Sequence, residues 1–406
     1  MGNKPATPKS PRNPFVIGHH AEGAGFADRD EETRRIEQAF SDPGSRLLVY
    51  GDRRLGKSST IRVAADRARK SGHKVAIVDL AHANSAAAAA QRILSTIHKE
   101  IGGEWKDFAI RAASRLKGTF SITPGMDSSG NTTLAFSLTP TSPDRTEPPT
   151  GGAIFFETLD AVEAELAKRK LNIGLDEFQR LRRWAGADVD WPLKEMLERH
   201  RNIAYVLAGS ERTMVEQMLA NKKAGLWKVV EILDMSPIDP VLFARWVLQR
   251  ARDTGLVVDV VTAAAIVRLG GPRTRDVVQL ARSVWEASRA KGSADKRDVV
   301  RALEILVGEQ AALHRRAWEL LPHVARRILM VVAAEPSAQL TSASALSRFG
   351  LGSKSTVHRE AANLVDEEIL VRTPDGIHDF DDPFFRRWVQ LNVIEDINRQ
   401  PPSLLD

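Results

Sequence analysis

Apolar positions follow two patterns along the chain. Between residues 45 and 210, short apolar runs alternate with longer stretches at helical spacing. SRLLVY (45–50), HKVAIVDLA (73–81), LNIGLDEF (171–178) and NIAYVLAGS (202–210) read as buried strands. Helices are expected over 29–41, from Lys57 to Ser71, over the Ala-rich run Asn84 to Ile101, over 154–170 and over 191–200. Strands separated by helices specify a parallel sheet covered on both faces, an α/β fold. The stretch 117–152 breaks the rhythm: TFSIT and TLAFSL flank a Gly/Ser/Asp/Asn segment, which reads as a β-hairpin followed by a Pro-rich linker. It is either a bare insertion or a partner-binding element projecting from the core.

After about residue 236 the strands stop. LFARWVLQRARDTG, VVTAAAIVRLGG, TRDVVQLARSVWEASRAKG and KRDVVRALEILVGEQ are helical, punctuated by Pro240, Gly255, Gly271 and Gly292. Helices at 315–333, 341–349 and 353–364 then precede an extended pair, ILVRT and IHDFDD, around Pro374-Asp375-Gly376. Three helices and a small hairpin read as a winged helix. The expected organisation is a polar, Pro-rich tail (1–13), an α/β core (14–235), a helical lid (236–312), a winged-helix domain (313–395) and a second tail (396–406). No fixed-period repeat is present.

Composition narrows the function classes. The 406 residues are 43% hydrophobic and 27% charged, which is ordinary for globular domains and long enough for two or three of them. The chain has no cysteine, so disulfides, thiolate metal sites and Cys nucleophiles are excluded together. MGNKPATPKSPRNPF lacks the apolar centre of a secretory signal, and Ala6 stands where a myristoylation motif asks for Ser or Thr. No apolar run is long enough to span a membrane, so a cytoplasmic protein is expected. The net charge of +6 fits either a solvated basic surface or nucleic-acid contact.

The candidate chemistry begins at G-D-R-R-L-G-K-S (51–58), which matches G-x-x-x-x-G-K-[ST] between a strand and a helix. Gly51, Asp52, Arg53, Arg54, Leu55 and Gly56 form a loop whose backbone N–H groups turn toward phosphates. Lys57 reaches the β- and γ-phosphates, Ser58 ligates Mg²⁺, and Ser59 continues the site at a positive helix N-terminus. About 115 residues further on, Asp176 ends a buried strand and suits Mg²⁺, with Glu177 beside it as the general base for an attacking water. The expected ligands are therefore ATP and Mg²⁺, and the expected reaction is hydrolysis.

Other candidates each carry a plainer alternative. Ser210, at the next strand tip, bonds the γ-phosphate or water, or else caps a helix. Arg212, Arg199 and Arg201 are equal candidates for an arginine finger acting on a neighbouring subunit. In GGPRTRD (270–276), Arg273 or Arg275 is placed to sense the γ-phosphate from the lid, or is ordinary helix-start chemistry. In the helix-turn-helix candidate 341–371, Ser353, Lys354, Ser355, Thr356, His358 and Arg359 make a polar, basic helix start suited to double-stranded DNA, although winged helices also serve as packing modules. The ten histidines, with His19-His20 in a loop, show no metal-ligand spacing, and no G-x-S-x-G nucleophile motif occurs.

NPFVIG (13–18), FADRDEE (26–32), GDRRLGKSS (51–59), GLDEFQ (174–179), AGS (208–210), GGPRTRDVVQLA (270–281) and DDPFFRRWV (381–389) occur in an order that resembles the archaeal-type ATPases of the AAA+/STAND superfamily, from about residue 13 to 390. The resemblance implies an ASCE P-loop core, a helical lid, a C-terminal winged helix and a nucleotide-proximal Arg29. Relatives also carry a hairpin before the Walker B strand. Arg-Thr-Arg (273–275) departs from the Tyr-rich segment common there and looks closer to the lid arginine of initiators and clamp loaders.

Two function classes follow. One is an ATPase that changes shape or assembly on DNA, in replication, repair or transposition, as at least a transient homo-oligomer. The other is a signalling or defence switch that acts through protein partners. A kinase-like transferase ranks below both, because no second substrate pocket is visible in the sequence.

Overall fold

The computed structural model describes residues 12–17, 26, 27, 29–101, 105–116, 120–126, 132–138, 152–166, 169–186, 189–221, 226–335, 339–372 and 376–394. The expected tails, the Pro-rich linker, Gly18, His19, His20, Pro374 and Asp375 lie outside those residues or nearly so. The chain forms two compact units, residues 29–236 and residues 1–28 with 237–406.

The first unit runs α1 (Asp30–Ser41), β1 (Arg46–Tyr50), α2 (Lys57–Lys70), β2 (Val75–Asp79), α3 (Ala86–Thr96), α4 (Trp105–Arg115), β3 (Phe120–Met126), β4 (Thr132–Leu138), α5 (Ala153–Leu166), β5 (Leu171–Asp176), α6 (Leu181–Ala185), α7 (Asp190–Arg199), β6 (Ile203–Gly209), α8 (Arg212–Ala220) and β7 (Glu231–Asp234). Five strands form a sheet in the order β2-β5-β6-β1-β7, with every pairing parallel. Strand alternation explains the two apolar layers. Leu48, Ala76, Val78, Ile173, Tyr205 and Leu207 point into one core, walled by α3, α4, α5 and α7. Leu47, Val49, Val75, Ile77, Val206 and Ala208 point into the other, beneath α1 and α2. Burying each large aliphatic side chain contributes about 1.5–3 kcal/mol. Gly174 on β5 leaves room for the Ile77 side chain of β2, because a Cβ there would lie 2.5 Å from Ile77 Cδ1.

Several elements differ from the pattern's expectation, among them the short helix α6, which was not expected. Strand β7 is additional: it is an edge strand with only Leu233 buried, so it carries no apolar run. Helix α4 is also additional, although its buried positions 108, 109, 112 and 113 keep helical spacing. The Ala-rich helix ends at Thr96 and continues as a π-helical turn, Ile97–Ile101. The expected hairpin is present as the antiparallel pair β3·β4.

At the N-terminal edge of the sheet, Arg46 donates to the carbonyls of Leu197, His200 and Ile203. His200 bridges Asp160 of α5 and the Tyr205 hydroxyl of β6 at 2.8 Å each. This network ties helix to strand at the edge opposite the strand C-termini.

The second unit contains α9 (Pro240–Asp253), β8 (Val257–Val258), α10 (Val260–Gly270), α11 (Thr274–Ser288), β9 (Ser293–Ala294), α12 (Lys296–Glu309), α13 (Ala311–Leu320), α14 (His323–Ala334), α15 (Ala343–Arg348), α16 (Lys354–Asp366), β10 (Leu370–Arg372), β11 (His378–Phe380) and α17 (Pro383–Asn392). Strand structure does not stop at 236, since β8 and β9 make a short parallel pair inside the lid. The single helix expected over 315–333 is two helices, parted at Leu321-Pro322, where proline lacks the N–H needed to continue α13. Asp239, Asp259, Asp295 and Asp382 cap α9, α10, α12 and α17 with their carboxylates.

Lid and winged helix share one apolar core, which contains Val247, Leu280 and Trp285 as well as Ile328, Leu364 and Trp388. The described N-terminal residues belong to it too, not to the α/β core that was expected to begin at residue 14. Phe15 is fully buried, edge-on to Trp246, and Asn13 donates to the Arg282 carbonyl at 3.2 Å.

His314 lies buried against Phe385 and Trp388, with ring centroids 5.4 and 6.3 Å away. Burial disfavours its cation and lowers its pKa, with Asp382 opposing. An unfolded histidine takes its proton near pH 6.5, whereas the folded one does so only at lower pH. Stability from this site is therefore complete above about pH 6.5 and falls as the pH drops below that value. Urea midpoints measured from pH 8 to 5 are expected to decline in this unit, and less steeply in His314→Phe. Equal pH dependence in the two proteins would contradict the assignment.

Candidate nucleotide site

The loop between β1 and α2 is shaped by its glycines. Gly51 has φ 150°, and a Cβ there would stand 2.5 Å from the Met235 carbonyl oxygen, so no other residue fits. Gly56 occupies the N-cap of α2 with φ 93°, a left-handed conformation that turns the chain into the helix. Arg54 also sits at positive φ, 65°. Leu55 is buried beneath the loop, while Arg53 and Arg54 are exposed and Asp52, Ser58 and Ser59 are half-buried.

Lys57 is buried, and its Nζ donates to the carbonyls of Gly51 (2.8 Å) and Asp52 (2.7 Å). The loop thus curls around one ammonium group at a helix N-terminus, an arrangement suited to phosphate oxygens. Arg29 is buried as well. It donates to the Leu55 carbonyl at 3.2 Å and pairs with Glu32 at 2.6 Å, which places it against the loop.

Sheet register brings the acids to the same edge. Asp176 on β5 pairs with Asp79 on β2, and Tyr50, just before the loop, pairs with Gly209 on β6. Asp176 is 9% exposed. Burial pushes its carboxyl above the usual range; a hydrogen bond from Ser58 and the Lys57 charge oppose this, while Glu177 and Asp79 add to it. Ser58 and Asp176 therefore stand together, as an Mg²⁺ site requires, and the donor set is all oxygen, which fits a hard cation. Among the described residues, no three His, Cys, Asp or Glu side chains form a metal cluster of their own.

Glu177 leaves the strand in the left-handed region, φ 58°. Its Oε2 accepts from Ser210 Oγ at 2.8 Å and from Gln179 Nε2 at 2.6 Å. Ser210 accordingly does not cap a helix: α8 starts after Glu211 without a side-chain cap, and the serine proton points at the carboxylate. Glu211 itself holds Arg183 at 2.7 Å and Arg53 at 3.9 Å. Gln179, Asp79 and Glu211 were not among the expected site residues. Asp79 ends an apolar strand and Gln179 closes the GLDEFQ segment, so both were discoverable on those grounds, whereas Glu211 carries no local signal.

Among the finger and lid candidates, the guanidinium groups of Arg212, Arg199 and Arg273 have carboxylate partners. Arg212 pairs with Glu216 (3.0 Å) and Asp234 (2.8 Å) and lies over the Tyr50 ring. Arg199 holds Asp160 at 2.6 Å, and the Arg201 amide donates to Glu163. Arg273 is 4% exposed and forms an ion pair with Asp381, just ahead of α17, whereas Arg275 is exposed on α11. Of the two lid arginines named as candidate γ-phosphate sensors, Arg273 is thus paired with a carboxylate at the start of the winged helix's last helix. Removing it would leave a largely buried carboxylate without its cation. Arg273→Ala is therefore expected to lower the stability of this unit by about 3 kcal/mol. An unchanged thermal midpoint would contradict a structural role for the pair.

In the winged helix, Ser353 caps α16 by accepting from the Thr356 amide at 3.2 Å. Lys354, Ser355, His358 and Arg359 are exposed, and Thr356 is half-buried. Arg372 on β10 faces His378 on β11 across the hairpin.

Known proteins can be set beside this geometry. Residues 312–391 match a protein family described as "probable winged helix domain". The structure is similar to the Walker-type ATPase PABY2304 of Pyrococcus abyssi, with TM-score 0.59 and 18% identity over 93% of this chain and 99% of that one. It is also similar to the ORC2 protein of Aeropyrum pernix, with TM-score 0.54 and 16% identity over 94% and 96%. This chain has the fold of the Walker-type P-loop ATPases. No curated protein matches its sequence significantly. Among the described residues, no helix is long and apolar enough to cross a membrane.

Proposed function

We propose that this protein is an ATP-hydrolysing switch of the AAA+/STAND type, whose nucleotide state controls its conformation or its assembly into homo-oligomers. The observation that carries this reading is the convergence of Lys57, Ser58, Asp176 and Glu177 on one edge of the sheet, with Glu177 held by Ser210. Phosphates lie on the loop amides and on Lys57. Ser58 and Asp176 would hold Mg²⁺, which would supply neutralisation of phosphate charge. Glu177 would take a proton from the attacking water as its oxygen bonds the γ-phosphorus and the bond from that phosphorus to the β–γ bridging oxygen breaks, so that ADP and inorganic phosphate leave. The Aeropyrum pernix ORC2 structure was determined in ADPNP–ADP complexes, which supports an adenine nucleotide here. Phosphate release from Mg-ATP, absent in Lys57→Ala, tests the assignment.

The reading extends to double-stranded DNA as the surface on which the switch works. Exposed Lys354 and Arg359 on α16, in a chain of net charge +6, support it. Losing two phosphate contacts should weaken binding about tenfold and lower the salt slope by about 2. Lys354→Ala/Arg359→Ala is expected to show this in a mobility shift, and no shift by wild type at low salt, with or without ATP, would end the DNA reading. The shared core of lid and winged helix favours a second reading, a switch that acts through protein partners. That reading predicts little DNA affinity and a particle size, by light scattering, that differs between ADP and a non-hydrolysable ATP analogue.

A further inference from the structure

Gln179 lies two residues beyond Glu177, on a single 3-10 turn, Phe178–Arg180. The left-handed backbone of Glu177 turns the chain so that this side chain comes back toward the carboxylate. Gln179 is fully buried, and its Nε2 reaches Glu177 Oε2 at 2.6 Å. The opposite amide orientation would set oxygen against oxygen, so the N–H must face the acid. The amide oxygen is buried with no hydrogen-bond partner, a cost of about 1–3 kcal/mol that an apolar side chain would avoid.

Space beside the amide is tight: a Cβ at Gly209 on the neighbouring strand would lie 2.6 Å from Val215 Cγ2 and 3.1 Å from both Gln179 Oε1 and Phe178 Cε1. Both donors, Gln179 Nε2 and Ser210 Oγ, bond the same carboxylate oxygen, which fixes the rotation of the group and turns Oε1 away from them.

We infer that Gln179 is a positioning residue for hydrolysis, holding Glu177 by one oxygen so that the other is aimed at the attacking water. The inference rests on the ATPase reading above. A buried amide kept at a cost to stability and in contact with the base is what a positioning role requires and simple packing does not.

The test compares Gln179→Met, of similar length without the donor, with wild type, each with and without Glu177→Gln. In the wild-type background, kcat is expected to fall about 10–100-fold while KM and affinity for a fluorescent ADP analogue stay within about twofold. In the Glu177→Gln background, the residual rate should change by less than about twofold, because the group through which Gln179 acts is already lost. Gln179→Asn keeps the amide but ends one methylene short; it should show the same kcat loss and serves if the methionine variant does not fold. An unchanged kcat in both variants of an active enzyme overturns the inference, as does an equal loss in the two backgrounds. A wild-type chain that releases no phosphate overturns the ATPase reading itself, and this inference with it.

Discussion

Replacing Glu177 with glutamine is expected to stop turnover while leaving nucleotide bound. The substitution keeps the shape of the side chain and its place on the turn after β5 but removes the basic oxygen. Proton transfer by a positioned base contributes about 10²–10⁴ in rate, so phosphate release should fall by that factor. In the proposed reading phosphate binding does not run through Glu177, because the loop amides and Lys57 supply it, and the carboxylate's hydrogen bonds go to Ser210 and Gln179. Affinity for a fluorescent ADP or ATP analogue should therefore match wild type. A variant that hydrolyses ATP at the wild-type rate would assign the base elsewhere.

Lys57→Ala is expected to act one step earlier. The Lys57 ammonium pins the loop through the Gly51 and Asp52 carbonyls and, in the proposed reading, presents charge to phosphate oxygens. A charge-assisted hydrogen bond to a phosphate contributes about 1.5–3 kcal/mol, and loss of the pin adds to that, so nucleotide affinity should fall about 100-fold or more. Equilibrium titration with the same fluorescent analogue measures it. Unchanged affinity would mean that the loop does not bind phosphate through this residue.

The parts of the site built from contiguous residues were legible before the fold was known. Gly51 to Ser58 is one uninterrupted motif, and its glycines occupy the positive-φ positions that such a loop requires. Asp176 and Glu177 were legible because an apolar strand ends on them, and parallel pairing then carries them to the loop's edge of the sheet. The winged helix was legible as an order of helices and a hairpin, except that Pro322 divides a helix that helical spacing alone joins.

What escaped was decided by partners distant in sequence or by strands too short to show a period. Arg273 pairs with Asp381 across 108 residues, and nothing around either residue announces it. Strand β7 buries one side chain, so its place in the sheet depends on pairing with β1 and not on an apolar run. Phe15 looks like any aromatic in a Pro-rich stretch until it meets Trp246. Ser210 was identified as a site residue, but its bond to Glu177 needed the register of β5 against β6.

The central claim is that the strand edge carrying Lys57, Asp176 and Glu177 hydrolyses ATP. A single-turnover experiment tests it most directly: Mg-ATP is mixed with an excess of the full chain, and bound ATP and released phosphate are followed together. The expected result is that wild type converts its bound ATP to ADP and phosphate while Glu177→Gln holds the same ATP uncleaved. Equal cleavage by both proteins, or ATP bound and never cleaved by wild type, would contradict it.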